Sequence, residues 1–206
     1  MINNSVLETE AENKIKEAAR KIFHRRGFDG ARMQEIADEA QINKAMLHYY
    51  FRSKDKLFEA VFKEAAMKLF PVVILIIESD LDVDEKIKKL IHNYIDFIID
   101  NPYVPGFVLH ELTQNPERMK HFVASNVLMR PQKFFSQIQE GIDSGKYIPI
   151  APLQLMVTIV ASCIFPFVAK PMLHTLFGLD QDDFGEFIEQ RKEQMTQFIL
   201  NGLYKK

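Results

Sequence analysis

Between Arg32 and Phe51 the chain carries two short runs of helically spaced apolar residues separated by only three positions, an arrangement that few architectures accept. In the first run Met33, Ile36, Ala37 and Ala40 recur on one face; Gln41-Ile42-Asn43 follows, and the second run starts at Lys44. Asn43 suits a helix start because its side-chain oxygen can accept a hydrogen bond from an unpaired first-turn amide. Ile42 stands where an apolar side chain plugs the corner between two helices. The spacing predicts two short helices, about residues 32–40 and 44–51, joined by a tight turn.

The flanks also read as helices. Thr9 and Glu12 fit a capping box, Ile15, Ala18, Ala19 and Ile22 follow at helical spacing, and Gly27 is a natural stop, which gives a first helix over residues 10–26. Beyond Phe51, Ser53 can cap a fourth helix with Leu57, Phe58, Val61 and Phe62 as its apolar set, running to about Pro71. Five further amphipathic segments, 83–100, 104–115, 119–145, 153–176 and 183–203, are punctuated by Asn101-Pro102, Asn115-Pro116, Gly145, Pro149, Pro152 and Gly178. No strand-length alternation and no internal repeat is visible. The expected fold is all-α: a three-helix helix-turn-helix domain over residues 1–53 and a larger helical domain over 54–206, with the helix at 54–70 as the link.

Bulk charge does not advertise a nucleic-acid partner, since the formal net charge of the 206 residues is −2. The distribution is slightly uneven: residues 1–63 carry +2 and the remainder −4. The single cysteine, Cys163, has no disulfide partner or metal-ligand pattern around it and reads as a small buried hydrophobe, so no metal or other cofactor is expected. The N-terminal sequence lacks a basic start followed by an apolar run. Residues 69–77 are too short to span a membrane, and residues 153–169 are interrupted by Gln154, Thr158, Ser162 and Pro166. We therefore expect a cytoplasmic protein with no membrane partner.

At 100° per residue, with Leu47 pointing inward, Tyr50 and Phe51 fall within about 60° of it, while Ala45 and Tyr49 lie opposite at about 160° and 200°. Met46 and His48 flank that outer face and Lys44 stands near its start. Small, aromatic and sulfur-bearing residues with a histidine are unusual on a plain solvent face. They suit a DNA major groove, where Ala and Met touch thymine methyls and Lys, His and Tyr reach base acceptors or phosphates. Spacing alone leaves open a helical hairpin packing on a neighbouring domain, or a head that docks another protein.

The run from Met33 to Phe58, MQEIADEAQINKAMLHYYFRSKDKLF, resembles the signature of the TetR family of bacterial regulators, and Ala18 to Phe23 with Gly27-Phe28 is similar to that family's first helix and turn. The resemblance covers about residues 15–60. It implies an all-helical homodimer whose N-terminal domain binds a double-stranded DNA operator and whose C-terminal domain binds a small effector that releases it. By position it would put Lys44, Ala45, Met46, His48 and Tyr49 against DNA, with Arg32, Gln34 and Lys54 as supporting contacts, and Leu47, Phe51 and Ile36 holding the motif together. Three positions depart from the family pattern. Gln41 replaces the usual turn glycine, which calls for an altered or strained turn. His48 replaces a tyrosine. Ala31 stands where a capping threonine is common, which shifts the expected cap to Asp29 or Gly30.

Catalytic motifs fail on inspection. His110-Glu111 opens like a zinc-protease helix, but Gln114 stands where the second histidine belongs; Gly141 to Lys146 lacks phosphate-loop spacing; Ser162-Cys163 has no nucleophile-elbow glycines. The chain is not expected to be an enzyme. Helical bundles hold ligands between helices, lined by apolar groups and a few polar ones. The candidates are Tyr94, Phe97, Phe107, His110, Glu111, Phe134, Phe165 and Met172, with core packing the plainer reading of each. Residues 153–169 with Phe184, Ile188, Met195 and Phe198 form a stripe that either a dimer interface or the subunit's own core can use.

Overall fold

The computed structural model describes residues 4–114, 116–126 and 131–206. Among these the structure is helical, in the order α1 (Asn4–Gly30), α2 (Met33–Glu39), α3 (Lys44–Tyr50), α4 (Lys54–Ile77), α5 (Val83–Asp100), α6 (Val104–Gln114), α7 (Pro116–Asn126), α8 (Gln132–Asp143), α9 (Pro152–Val168), α10 (Lys170–Phe177) and α11 (Gln181–Leu203). One isolated β-bridge joins Tyr147 to Tyr204.

Several boundaries differ from the sequence reading for identifiable reasons. Thr9 lies inside α1, which is already helical from Asn4, so the helix does not start there. The kink comes at Gly27, with φ 66° and ψ 179°, a backbone that favours glycine. The fourth helix does not stop at Pro71 but runs on to Ile77. The ring removes the amide that would donate to the carbonyl of Met67, and both residues face solvent, where water can serve that carbonyl. The segment read as 119–145 divides into α7 and α8, and that read as 153–176 bends by 66° between α9 and α10, where Pro171 stands in the first turn of α10.

The chain forms two compact units, Met1–Lys68 with Asn101–Met119, and Leu69–Asp100 with Lys120–Lys206. In the first, α1 packs on α2 and α6, and α2 on α3. Its centre is aromatic. Phe58 of α4 is fully buried, Phe107 of α6 stacks on it at 3.9 Å between centroids, and Phe23 of α1 meets it edge-on at 4.6 Å. Phe28, in α1 just beyond its kink, contacts Phe58 at 5.2 Å, and Phe62 contacts Phe107 at 4.8 Å.

In the second unit α5 packs on α9 and α11, and α8 on α5 and α9. The α5 sequence buries Val83, Ile87, Leu90, Ile91, Ile95 and Ile98 at intervals of three and four, the stripe that drives an amphipathic helix into a core. It meets Phe134, Ile138, Leu155, Ile159, Cys163 and Ile188 there. Lys86, on the same stripe, is also buried. Its ammonium donates to the carbonyl of Ile77 at 2.8 Å, capping the end of α4, and to Gln137 Oε1 at 2.6 Å. Burial lowers its pKa.

Candidate nucleic-acid interface and effector residues

Local bonding builds the turn between α2 and α3. The amide of Ile42 donates to the carbonyl of Ala37 and that of Gln41 to Asp38, both at 3.0 Å, which is the paired closure of a Schellman motif. That motif needs a left-handed residue after the helix, and Gln41 adopts it with φ 56°. The departure from glycine thus leaves the usual turn shape in place and introduces strain of about 1–2 kcal/mol. At the start of α3, Asn43 accepts from the amide of Met46 at 2.7 Å. Helix α2 is capped neither from Asp29 nor from Gly30. Its first flanking residue is Arg32, in extended conformation, and the Glu35 carboxylate accepts from the Arg32 amide at 3.2 Å.

Leu47 is fully buried, Phe51 nearly so, and Tyr50 half-buried. Lys44, Ala45, Met46, His48 and Tyr49 are all exposed, Tyr49 at 75%. The outer face is therefore one continuous surface on a helix of just under two turns, with the Tyr49 ring set edge-on to Tyr50 at 5.4 Å. Arg32 and Gln34 are exposed on α2, and the Gln34 amide donates to Asp38 at 2.8 Å.

Lys54 is placed differently from the other expected DNA contacts. It is half-buried, and its ammonium donates to the carbonyls of Phe28 at 2.9 Å and of Asp29 and Ala31 at 3.3 Å, while lying 4.5 Å from the centre of the Phe28 ring. A lysine has three N–H donors, and here each has a protein acceptor. Many other cations of this unit are matched by acids: Arg20 binds Glu17 and Glu64, Lys21 and Arg25 bind Glu39, and Lys56 binds Glu59. Arg25 and Lys21 hold the Glu39 carboxyl below its ordinary pKa. An open cleft of about 660 Å³ between α1 and α2 is lined by Ile22, Arg25, Arg26, Glu35, Asp38 and Glu39; Arg25 pairs with Glu39 there and Arg26 lies 3.8 Å from Glu35.

The eight expected effector residues fall into three sets. Phe107, His110 and Glu111 belong to α6 in the first unit. Phe107 is core to the aromatic cluster, His110 is half-buried with its ring 5.0 Å from Phe28, and Glu111 is 1% exposed. Tyr94, Phe97 and Phe134 belong to the core of the second unit. Burial pushes the Tyr94 phenol up to about 12. Phe165 and Met172 join neither set: they are exposed, because Phe165 lies about 130° around α9 from the buried edge of Leu155, Met156, Ile159, Cys163 and Pro166. One residue of the head escaped the sequence reading, Arg52. It is exposed directly after α3, its carbonyl 3.4 Å from His48 Nδ1, and the signal for it was simply a cation beside the reading helix.

Two short helices closed by a Schellman turn, the second buried along one edge and free along the other, define a helix-turn-helix DNA-binding transcriptional regulator. The comparisons agree. Residues 15–61 match the bacterial regulatory proteins of the tetR family, and residues 84–199 match the tetracyclin repressor-like C-terminal domain. The chain belongs to the TetR family. It is 25% identical over 189 residues to the HTH-type transcriptional regulator RutR of Escherichia coli K12, covering 92% of this chain and 88% of RutR. It is 33% identical over 115 residues to the HTH-type transcriptional repressor NicS of Pseudomonas putida, covering 52% and 49%. Among solved structures, HlyIIR, a hemolysin II transcriptional regulator, shares the fold with a TM-score of 0.62 at 22% identity, over 96% of this chain and 99% of that one. These relatives are regulators, not enzymes. Among the described residues no single helix is long and apolar enough to cross a membrane.

Proposed function

We propose that the chain is a dimeric repressor that sits on a near-palindromic double-stranded DNA operator and leaves it when a small hydrophobic or amphipathic effector binds. The observation that carries this reading is the free face of α3. Lys44, Ala45, Met46, His48 and Tyr49 contact the major groove, with Arg32 and Gln34 supporting from α2. Repression is the sense that the name of NicS supports. Residues 1–53 read DNA and residues 54–206 sense and dimerise, in the cytoplasm, where operator DNA is reached.

Dimerisation is supported by an unpartnered apolar face on the second unit. Leu153 (61% exposed), Val157, Phe165 (57%) and Val168 line the outer side of α9, and Phe198 of α11 is 74% exposed. Isolated subunits rarely leave so many large apolar side chains of one helix face in water. Two recognition helices about 34 Å apart, or a multiple of that, also need a two-fold partner. Phe165 and Met172 are assigned to this face and not to the effector. Of the eight, His110 and Glu111 of the first unit are the proposed effector contacts, with Phe107 beside them as core, while Tyr94, Phe97 and Phe134 belong to the core of the second unit. Because α6 carries His110 and packs on α1, an effector that prefers a shifted α6 would disfavour the DNA-bound arrangement by that difference in affinity.

Selecting bound fragments from random double-stranded DNA tests the reading. Enrichment of two inverted half-sites one helical turn apart, or a multiple of it, supports it; a single asymmetric site excludes the dimeric form, and no enrichment excludes the operator.

A further inference from the structure

Arg52 and Lys54 stand two residues apart at the junction of α3 and α4, and the structure gives their charges different surroundings. The three donors of Lys54 are held by the carbonyls of Phe28, Asp29 and Ala31, and its ammonium lies against the Phe28 ring, so moving it to a phosphate would break all of these contacts. Arg52 is exposed, and among the described residues it makes no ion pair. Its backbone is held in place from both sides. Phe51 before it closes α3 by donating its amide to Leu47 at 2.8 Å, and Ser53 after it caps α4 by accepting from the Lys56 amide at 3.2 Å. The Arg52 carbonyl lies against the ring of His48, on the flank of the reading face. A guanidinium is a fixed fork of donors that matches two phosphate oxygens.

We propose that Arg52, and not Lys54, grips the DNA phosphate beside the C-terminal end of α3, and that Lys54 is a positioning residue tying the start of α4 to the C-terminal end of α1. This rests on the reading of the head as a DNA binder. Phosphate contacts are independent of sequence, so a mixed-sequence duplex serves as probe, and each contact adds about 0.9 to the slope of log affinity against log salt.

Fluorescence anisotropy of a labelled mixed-sequence duplex, titrated at several salt concentrations, separates the roles. Arg52→Gln lowers the slope by about 0.9 and weakens binding about five- to tenfold near 0.1 M salt for each reading head engaged, while Arg52→Lys restores the slope. Lys54→Met keeps its alkyl stem over Phe28 and leaves the slope unchanged, but lowers the thermal unfolding temperature. Should Lys54→Met not fold, the tie is supported and the two Arg52 variants decide the phosphate contact. A slope unchanged in Arg52→Gln, or lost in a folded Lys54→Met, overturns the proposal while leaving the head a DNA binder. Wild-type protein that binds no duplex overturns both.

Discussion

The ring of Tyr147 fills the space that a side chain at Gly141 would need: a Cβ built there lies only 2.0 Å from Tyr147 Cδ2 and 2.2 Å from Cε2. Tyr147 cannot easily retreat. It is 3% exposed, donates its amide to the Gly141 carbonyl at 3.0 Å, and is wedged edge-on against Tyr204 at 5.4 Å. The Tyr204 hydroxyl is itself held by Asp84 at 2.6 Å. Gly141→Ala therefore overpacks a clasp that pins the C-terminus, and should destabilise by about 1–3 kcal/mol. A urea midpoint equal to that of the wild type would refute this.

Gln41 offers the opposite opportunity. Replacing it with glycine removes the left-handed strain but returns freedom to the unfolded chain, for a net gain of about 0.5–1 kcal/mol. The Gln41→Gly protein should unfold at a higher temperature in a calorimetric scan. A lower temperature would mean that the glutamine side chain contributes more than its backbone strain removes.

On α3, Lys44→Ala combined with Tyr49→Ala should weaken binding to a selected operator by at least tenfold without lowering thermal stability. Both side chains are exposed, and a well-placed base or phosphate contact contributes about 1–3 kcal/mol. Unchanged affinity in a gel-shift titration would remove this face from the interface.

Alkaline pH should loosen the protein. Burial raises Cys163 from its ordinary 9.0 to about 12, and Tyr94 and Tyr103 from 10.0 to about 12. Between those values the unfolded chain releases protons that the folded chain keeps, so their stabilisation is complete below about pH 9 and is lost progressively toward pH 12. Urea midpoints measured from pH 8 upward should begin to fall near pH 9 in the wild type, and nearer pH 10 in Cys163→Val, where the two phenols remain. A flat profile to pH 11 would show that these groups ionise as freely in the folded protein.

What the sequence made legible was local. Ile42 and Asn43 announced the turn because capping and corner plugging act over three or four residues, and Leu47 announced its burial through the helical period. Long-range partners were out of reach. The acceptors of Lys54 lie 23 to 26 residues earlier in the chain, and nothing in its neighbours predicts them. Phe165 looked like core because its helix is mostly apolar, and the packing of α9 on α5 and α11 decides which side faces inward. The bend before α10 is hidden in the sequence because Pro171, in the first turn of α10, sits within an otherwise apolar run.

Phe58, at the centre of the first unit, is enclosed by rings from α1 on either side of its kink and from α6, the last of these about fifty positions further along the chain. A fragment ending at residue 53 would carry Phe23 and Phe28 without the ring they pack on. The DNA-reading head is thus not a portable cassette. A chimera that grafts it onto another sensor must bring the first half of α4 and a compatible α6, so recombination between relatives succeeds only where both pieces travel together.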